Sequence, residues 1–247
     1  MDGDIFFEEY GRALVANLYN MAASRHGGRV HQQVAERLRS WDVRSGLGAR
    51  RSRRHSGEPK ADRQCISEWH YNREAQYKSP KYVMDLLVDV VSRNGKLMLI
   101  FPLPNSGELD YEERVILDEI TKWMAINGEG IHASRPWKIF GDGPVAAAPP
   151  SDEGIRFNES GRKELTADEV RFTTKGDTLY VFIMGWPEIL ALIKPLATSS
   201  PLSPPKIRNV ELLGYKDKVI WTQDEQGLTV VMPEHKPCGY AITLKIV

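Results

Sequence analysis

The periodicity of the sequence changes once, near residues 146–151, and this change limits the possible folds more than any other feature. Between residues 65 and 128, apolar stretches of strand length alternate with amphipathic helical patterns. After 151, short alternating strands follow one another with no long helix between them. The junction is rich in alanine and proline, as interdomain linkers often are. We therefore predict a first domain of parallel βα units, 1–145, and a small antiparallel β-sandwich, 153–247.

Local signals define the elements of the first domain. Helices are predicted at 8–25, from Ser79-Pro80 to Asn94-Gly95, and at 110–127, where Asp110 and Glu113 have the spacing of a capping box. Strands are predicted at 65–71 and, as a continuous and therefore buried apolar run, at 96–101. The buried face of the last helix is predicted to contain Ile116, Leu117, Ile120, Trp123 and Met124.

The second domain has five strand-like segments, and the alternation of apolar residues predicts which side chains point inward. The segments are Glu169–Trp186, Lys206–Leu213, Lys218–Thr222, Leu228–Met232 and Tyr240–Val247. The predicted inward residues are Phe172, Leu179, Val181, Ile183, Leu212, Ile220, Val230 and Ile242.

Residues 31–64 show neither helical nor strand periodicity and contain a dense group of arginines. Such a group can indicate a nucleic-acid contact, but Trp41 is the lone aromatic residue among them, which favours a solvated run. The chain as a whole has 33 basic and 33 acidic residues, which argues against a general binder of nucleic acid or anionic membranes. We expect 31–64 to be the least regular part of the chain.

Membrane and metal chemistry have little support in the sequence. The longest apolar stretch, near 84–91, is interrupted by Asp85 and Asp89 and is too short to span a bilayer. The two cysteines, Cys65 and Cys238, are far apart, and the six histidines lack metal-ligand spacing, so we expect no metal site and no cofactor. The acidic N-terminus has no basic leader region, so either the protein stays inside the cell or its natural beginning is missing.

Three stretches together carry a resemblance to a known family. They are Asp2-Gly3-Asp4 with Glu8–Arg12 and Leu18-Tyr19-Asn20; Tyr77–Pro80 continuing through Leu86–Leu99 and Trp123–Ile131 to Ser134–Trp137; and Val170–Tyr180 ending at Gly185-Trp186-Pro187. In these stretches the sequence resembles the α-L-fucosidases of glycoside hydrolase family 29. The resemblance covers most of the chain outside 31–64.

The resemblance implies a (β/α)₈ barrel of the TIM type followed by a β-sandwich. It also implies that terminal α-L-fucose is removed from a fucosylated oligosaccharide or glycoconjugate with retention, through a covalent glycosyl-enzyme intermediate. That chemistry needs two carboxyl groups about 5–5.5 Å apart. Members of the family are often secreted, periplasmic or lysosomal; the sequence leaves localisation and oligomeric state open.

Four residues match, or adjoin, functional positions of the family. Asp2 matches the nucleophile, the alternative being a solvated terminal acid. Trp69 matches an aromatic residue that walls the fucose ring, the alternative being a core tryptophan at a strand end; we group His70 with it as substrate-binding. Glu68 is a candidate general acid/base, the alternative being a polar residue at a strand end.

The sequence also departs from the family. A complete barrel takes roughly 250 residues, so we expect 1–145 to be only its C-terminal portion. Residues 31–64 do not match, and codons for Val43–Arg51 can be chosen so that a one-base shift reads Cys-Gly-Leu-Asp-Leu-Glu-Arg-Gly, a run typical of the family. We infer a compensated frameshift there, which would remove the glutamate that is the leading candidate for the general acid.

These departures predict a truncated form of the enzyme with weak activity or none. One alternative is a non-catalytic glycan-binding or scaffold module, in which the sandwich folds alone. Another is a different glycosidase on the same barrel, which the length of the matching motifs disfavours.

Overall fold

A computed structural model describes residues 60–147, 164–204 and 206–247, with side chains from residue 63 onward. The predicted helix 8–25, residues 31–59, most of the 146–151 junction and Asp2 lie outside the described residues. The predicted barrel can therefore be compared only with its segment from residue 60.

The described chain begins with a βαβ unit. Strand β1 (Lys60–Cys65), helix α1 (Pro80–Ser92) and strand β2 (Gly95–Ile100) follow in order, and β1 and β2 pair in parallel, with Cys65 opposite Ile100. This is the parallel βα arrangement predicted from the alternating periodicities. The predicted strand at 65–71 is wrong, however, because the strand ends at Cys65 and begins inside the stretch expected to be irregular. Its ladder with β2 holds it extended without any apolar alternation of its own.

Helix α1 follows its local signals closely. The hydroxyl of Ser79 accepts a hydrogen bond from the backbone N–H of Tyr82, and Pro80 occupies the first turn. At the other end Asn94 has a positive φ of 67°, and a Cβ on Gly95 would lie only 2.8 Å from the carbonyl oxygen of Val90. The chain therefore turns directly from α1 into β2.

Strand β2 is less buried than its apolar run predicts. Leu97 and Leu99 pack towards α1 and the residues around it, whereas Met98, on the opposite face, is 53% exposed. The prediction of a fully buried strand is wrong for the described residues, because helix α1 covers one face of the two-stranded sheet.

Helix α2 (Tyr111–Asn127) has the predicted capping box: the side chain of Asp110 accepts from the N–H of Glu113, and the Glu113 carboxylate accepts from the N–H of Asp110. Ile116 and Trp123 are buried as predicted. Leu117 is exposed, contrary to prediction, because it lies at the edge of the stripe, about 100° around the helix from the buried Ile116. A 3₁₀ turn, Gly128–Gly130, ends the helix.

The rest of the chain forms two antiparallel sheets. A five-stranded sheet has the order β3-β4-β5-β10-β7, and a three-stranded sheet has the order β6-β9-β8. Their strands are β3 (Arg135–Asp142), β4 (Val170–Lys175), β5 (Thr178–Ile183), β6 (Leu190–Ile193), β7 (Val210–Leu212), β8 (Trp221–Gln223), β9 (Leu228–Val231) and β10 (Ile242–Ile246). One helical turn, α3 (Pro144–Ala147), follows β3.

The boundary predicted at residue 145 needs correction. Strand β3 lies before it, yet β3 pairs with β4, with Arg135 opposite Thr174 and Asp142 opposite Val170. The sandwich therefore takes a strand from the segment assigned to the barrel. Strand β6 was not predicted either, although Pro187 and Pro195 bracket its short apolar run.

Two apolar cores lie on opposite faces of the five-stranded sheet. Between the two sheets, the core includes seven of the eight predicted inward residues; Ile220 is instead 70% exposed. On the other face, Tyr180, Phe182 and Met184 pack with residues of α1 and α2, among them Met84 and Trp123. Strand β5 is thus buried on both sides, which ties the sandwich to the helices.

Candidate active site

The site residues predicted in the described chain lie beyond the carboxyl end of strand β1. Because β1 and β2 are parallel, the loops that follow them, 66–79 and 101–110, leave the sheet at the same edge. In parallel α/β architectures this is the edge where ligands bind and catalytic groups collect.

The end of the first loop is fastened to β1. The Lys78 ammonium donates to the carbonyl of Cys65 at 2.8 Å and to the side chain of Gln64 at 3.3 Å. The backbone N–H of Lys78 donates to the carbonyl of Ile66 at 2.7 Å. The backbone N–H of Ile66 donates in turn to the carbonyl of Ile100 at 3.1 Å. Both ends of the loop are therefore held against the strand tips.

A second link joins the loop to helix α2. The Tyr77 hydroxyl donates to the carboxylate of Asp110 at 2.7 Å, and the same carboxylate caps α2. Burial, with the nearby Asp110, raises the pKa of Tyr77, so the phenol stays protonated as a donor. One acidic residue thus fixes both the start of α2 and the return of the loop.

Between these anchors, Glu68, Trp69 and His70 are all exposed. Trp69 is 45% exposed, so the alternative of a core tryptophan is wrong, and part of the indole is open to a ligand. One carboxylate oxygen of Glu68 accepts from the amide of Asn72 at 3.3 Å. The loop therefore presents an acid, an indole and an imidazole on three successive residues.

The structure brings these three residues together but leaves the full catalytic set as a prediction. Asp2 lies outside the described residues, so its assignment as nucleophile and its separation from Glu68 are untested. Sequence reasoning missed the anchoring roles of Tyr77 and Lys78. The signal was available in the stretch Tyr77–Pro80, where two polar residues directly precede a helix start.

The part of the chain that the structure describes contains no group of three His, Cys, Asp or Glu side chains placed to hold a metal ion. Within the same ranges, no helix is both long and apolar enough to cross a membrane.

Two family models match the chain. The model of α-L-fucosidase matches residues 25–129, and the model of the α-L-fucosidase C-terminal domain matches residues 162–247. The chain belongs to the α-L-fucosidase family. The first match runs across residues 31–64 and begins after Asp2, so the frameshift and the nucleophile both stay predictions for this family member.

Curated α-L-fucosidases are similar over most of the chain. Tissue α-L-fucosidase of Bos taurus is 27% identical over 191 residues, covering 72% of this chain and 34% of the bovine protein. The α-L-fucosidase of Branchiostoma floridae is 27% identical over 188 residues, covering 72% of this chain and 35% of its own. The chain thus spans about a third of the length of these relatives.

Solved α-L-fucosidases share the fold. The Thermotoga maritima enzyme superposes with a TM-score of 0.60 at 19% identity, over 80% of this chain and 41% of that one. Isoenzyme 1 from Paenibacillus thiaminolyticus superposes with a TM-score of 0.57 at 21% identity, over 76% of this chain and 39% of that one.

Proposed function

We propose that the protein is a retaining glycoside hydrolase that removes terminal α-L-fucose from fucosylated oligosaccharides or glycoconjugates. The observation that carries the proposal is the exposed Glu68-Trp69-His70 loop at the carboxyl edge of a parallel sheet, in a member of the α-L-fucosidase family. The proposal concerns the complete protein, because this chain spans only part of its relatives.

The loop has the chemistry that a sugar requires. The indole of Trp69 offers an apolar face to the C–H groups of the fucose ring, and the methyl group of fucose adds to that contact. The imidazole of His70 can donate to or accept from a ring hydroxyl. A structure of the Thermotoga maritima enzyme in complex with fucose is among the similar structures, which supports fucose as the ligand.

We assign the two carboxyl roles to Asp2 and Glu68. The Asp2 carboxylate attacks the anomeric carbon while Glu68 protonates the leaving glycosidic oxygen. Glu68 then takes a proton from water, which attacks the anomeric carbon and releases fucose and Asp2. A Bacteroides thetaiotaomicron α-L-fucosidase with a similar fold, at a TM-score of 0.53, has been solved as a trapped covalent intermediate, which supports the two-step route.

The test of Glu68 as the general acid uses the complete protein that contains this chain. It compares two substrates. For Glu68→Gln, cleavage of an aryl α-L-fucoside should fall much less than cleavage of a fucosyl disaccharide, because a good leaving group needs little protonation. Equal losses on both substrates would contradict Glu68 as the acid and favour the glutamate of the shifted frame.

The nucleophile and the stacking residue have separate tests. Asp2→Ala should abolish turnover of the aryl fucoside, and undiminished turnover would show the assignment to be wrong.

Trp69→Ala should raise KM about tenfold, and Trp69→Phe should recover part of that loss because a smaller aromatic face remains. Fucose binding that needs Trp69 but is never followed by turnover would favour the non-catalytic glycan-binding module instead.

A further inference from the structure

The outer face of the three-stranded sheet carries a row of exposed aliphatic side chains. Leu190 on β6 lies opposite Val231 on β9, and the N–H of Val231 donates to the carbonyl of Ile220, just before β8, at 2.8 Å. These three residues form a line across all three strands, which we call the aliphatic row. Their side chains are 54%, 39% and 70% exposed, respectively.

The neighbouring line on the same face is more polar. It consists of Leu192, Thr229 and Thr222, which the strand register places next to one another. The inner residues of β6, Ala191 and Ile193, are buried in the core, so the alternation of this strand exposes leucines where a solvated sheet would carry polar residues. An exposed aliphatic face of this kind is typical of a protein–protein contact.

Four exposed charged residues flank this face along the chain, each two residues away from a residue of the face and just outside the strands. Glu188 and Lys218 lie beyond the aliphatic row, on the β6 and β8 sides. Lys194 and Asp224 lie beyond the line of Leu192, Thr229 and Thr222, on the β6 and β8 sides respectively. The sign of the charge therefore alternates around the face, and the pattern is complementary to its own copy after a two-fold rotation.

We propose that this face binds the same face of a second copy of the chain. The two-fold axis lies between the two facing three-stranded sheets, one from each copy, and runs parallel to β9. This rotation exchanges the β6 and β8 sides. Leu190 then packs on Ile220 of the partner subunit, and Val231 meets its own copy. Glu188 faces Lys218 of the partner subunit, and Lys194 faces Asp224 of the partner subunit.

A two-fold axis running across the strands would also pair opposite charges, but it is the poorer solution. It would stack β6 on its own copy in the opposite direction, so that Leu190 meets Leu192 of the partner subunit but Val231 and Ile220 each meet a threonine. The axis along β9 instead sets the whole aliphatic row against aliphatic side chains, and only Leu192 then meets a threonine, Thr222 of the partner subunit. A face of three short strands is small, so the dimer is a weak, concentration-dependent one.

Sedimentation equilibrium of the 247-residue chain, from about 5 to about 500 µM, tests the proposal. We expect a monomer–dimer equilibrium with a midpoint within that range. Glu188→Lys places two like-charged pairs in the dimer and should weaken self-association by about tenfold or more. Adding Lys218→Glu to Glu188→Lys should restore the affinity of the parent chain.

Two further variants separate this dimer from other associations. Glu188→Lys with Lys194→Glu restores complementarity only for the axis across the strands, so here it should stay weak. Asp177→Lys, an exposed change in the β4–β5 turn of the other sheet, should leave the equilibrium unchanged. The proposal is overturned by a chain that is monomeric throughout, by a dimer that Glu188→Lys does not weaken, or by rescue with Lys194→Glu rather than Lys218→Glu. Matching thermal midpoints of all variants exclude loss of folding as the cause.

Discussion

At the scale of single residues, Asp85 is a buried carboxyl group at the contact between helix α1 and the sandwich. It accepts from the backbone N–H of Leu165 at 2.8 Å and from the ammonium of Lys81. Lys81 also donates to the carbonyls of Leu165 and Met184, each at 2.8 Å. Burial raises the pKa of Asp85 from 3.8 to about 6, with a contribution from Glu164, although Lys81 and the N–H of Leu165 act in the opposite direction.

This pKa predicts how the free energy of unfolding depends on pH. Between about pH 4 and pH 6 the folded state holds a proton on Asp85 that the unfolded state has lost. The contribution of Asp85 to stability is therefore full below about pH 4 and is lost as the pH rises through about 6. The change across this window is about 3 kcal/mol at most.

Urea unfolding between pH 4 and pH 7 measures this effect. The free energy of unfolding of the parent chain minus that of Asp85→Asn should decrease as the pH rises through this range, because asparagine does not titrate. Asp118→Asn, an exposed change on helix α2, serves as the control. A difference between the parent and Asp85→Asn that does not vary with pH would contradict the raised pKa.

At the scale of elements, a buried ionic cluster joins helix α1 to strand β4. The Arg171 guanidinium donates to the carboxylate of Asp89 at 2.6 Å and to that of Glu169 at 2.8 Å. Arg93 also donates to Asp89, at 3.0 Å, and stacks 3.6 Å above the ring of Phe140 in β3. Burial opposes the charge on Arg171, but Asp89 and Glu169 outweigh burial and raise its pKa.

Arg171→Met should lower the free energy of unfolding by about 3–5 kcal/mol, because it leaves Glu169 and part of Asp89 buried without their partner. Lys122→Met removes an exposed partner of Glu119 and should change stability far less. Chemical denaturation of both variants measures the contrast. Similar small effects in the two would mean that Arg171 is not needed to balance the buried acids.

At the scale of the whole molecule, the sandwich depends on the helices that precede it. Trp123 of α2 donates its indole N–H to the carbonyl of Ala241 at 2.7 Å, and Met84 and Val88 of α1 pack on the same side of the sheet. This side includes Tyr180 and Phe182, both fully buried. Cutting the chain at the predicted boundary would expose that face and remove strand β3.

We therefore expect the isolated segment 153–247 to bind a hydrophobic dye and to unfold without a cooperative transition, whereas the 247-residue chain unfolds cooperatively. A segment that starts at residue 133 restores β3 but not the helices, so it should still bind the dye. Dye fluorescence and thermal unfolding followed by circular dichroism check both. A cooperative, dye-free 153–247 segment would instead support the independent sandwich inferred from the sequence.

The sequence by itself determined the features whose signals lie within a few residues of one another. The capping box at Asp110, the proline at position 80 and the alternation through Leu179–Ile183 fix helix starts and strand faces by local hydrogen bonding and sterics. At the candidate site, the sequence singled out Glu68-Trp69-His70 but placed them within a strand, 65–71, whereas the structure places them in the loop after β1. Family motifs then supplied the roles.

Tertiary structure decided what depends on contacts between distant residues. Asp85 and Asp89 read in the sequence only as interruptions of an apolar run, because their partners Leu165 and Arg171 lie about 80 residues later. The same holds for β3, which joins the sandwich through β4. It also holds for Ile220, which was predicted to point into the core but lies on the outer face of its sheet. Local patterns specify that a residue lies on a face, but the elements that cover that face come from elsewhere in the chain, and only the folded packing selects them.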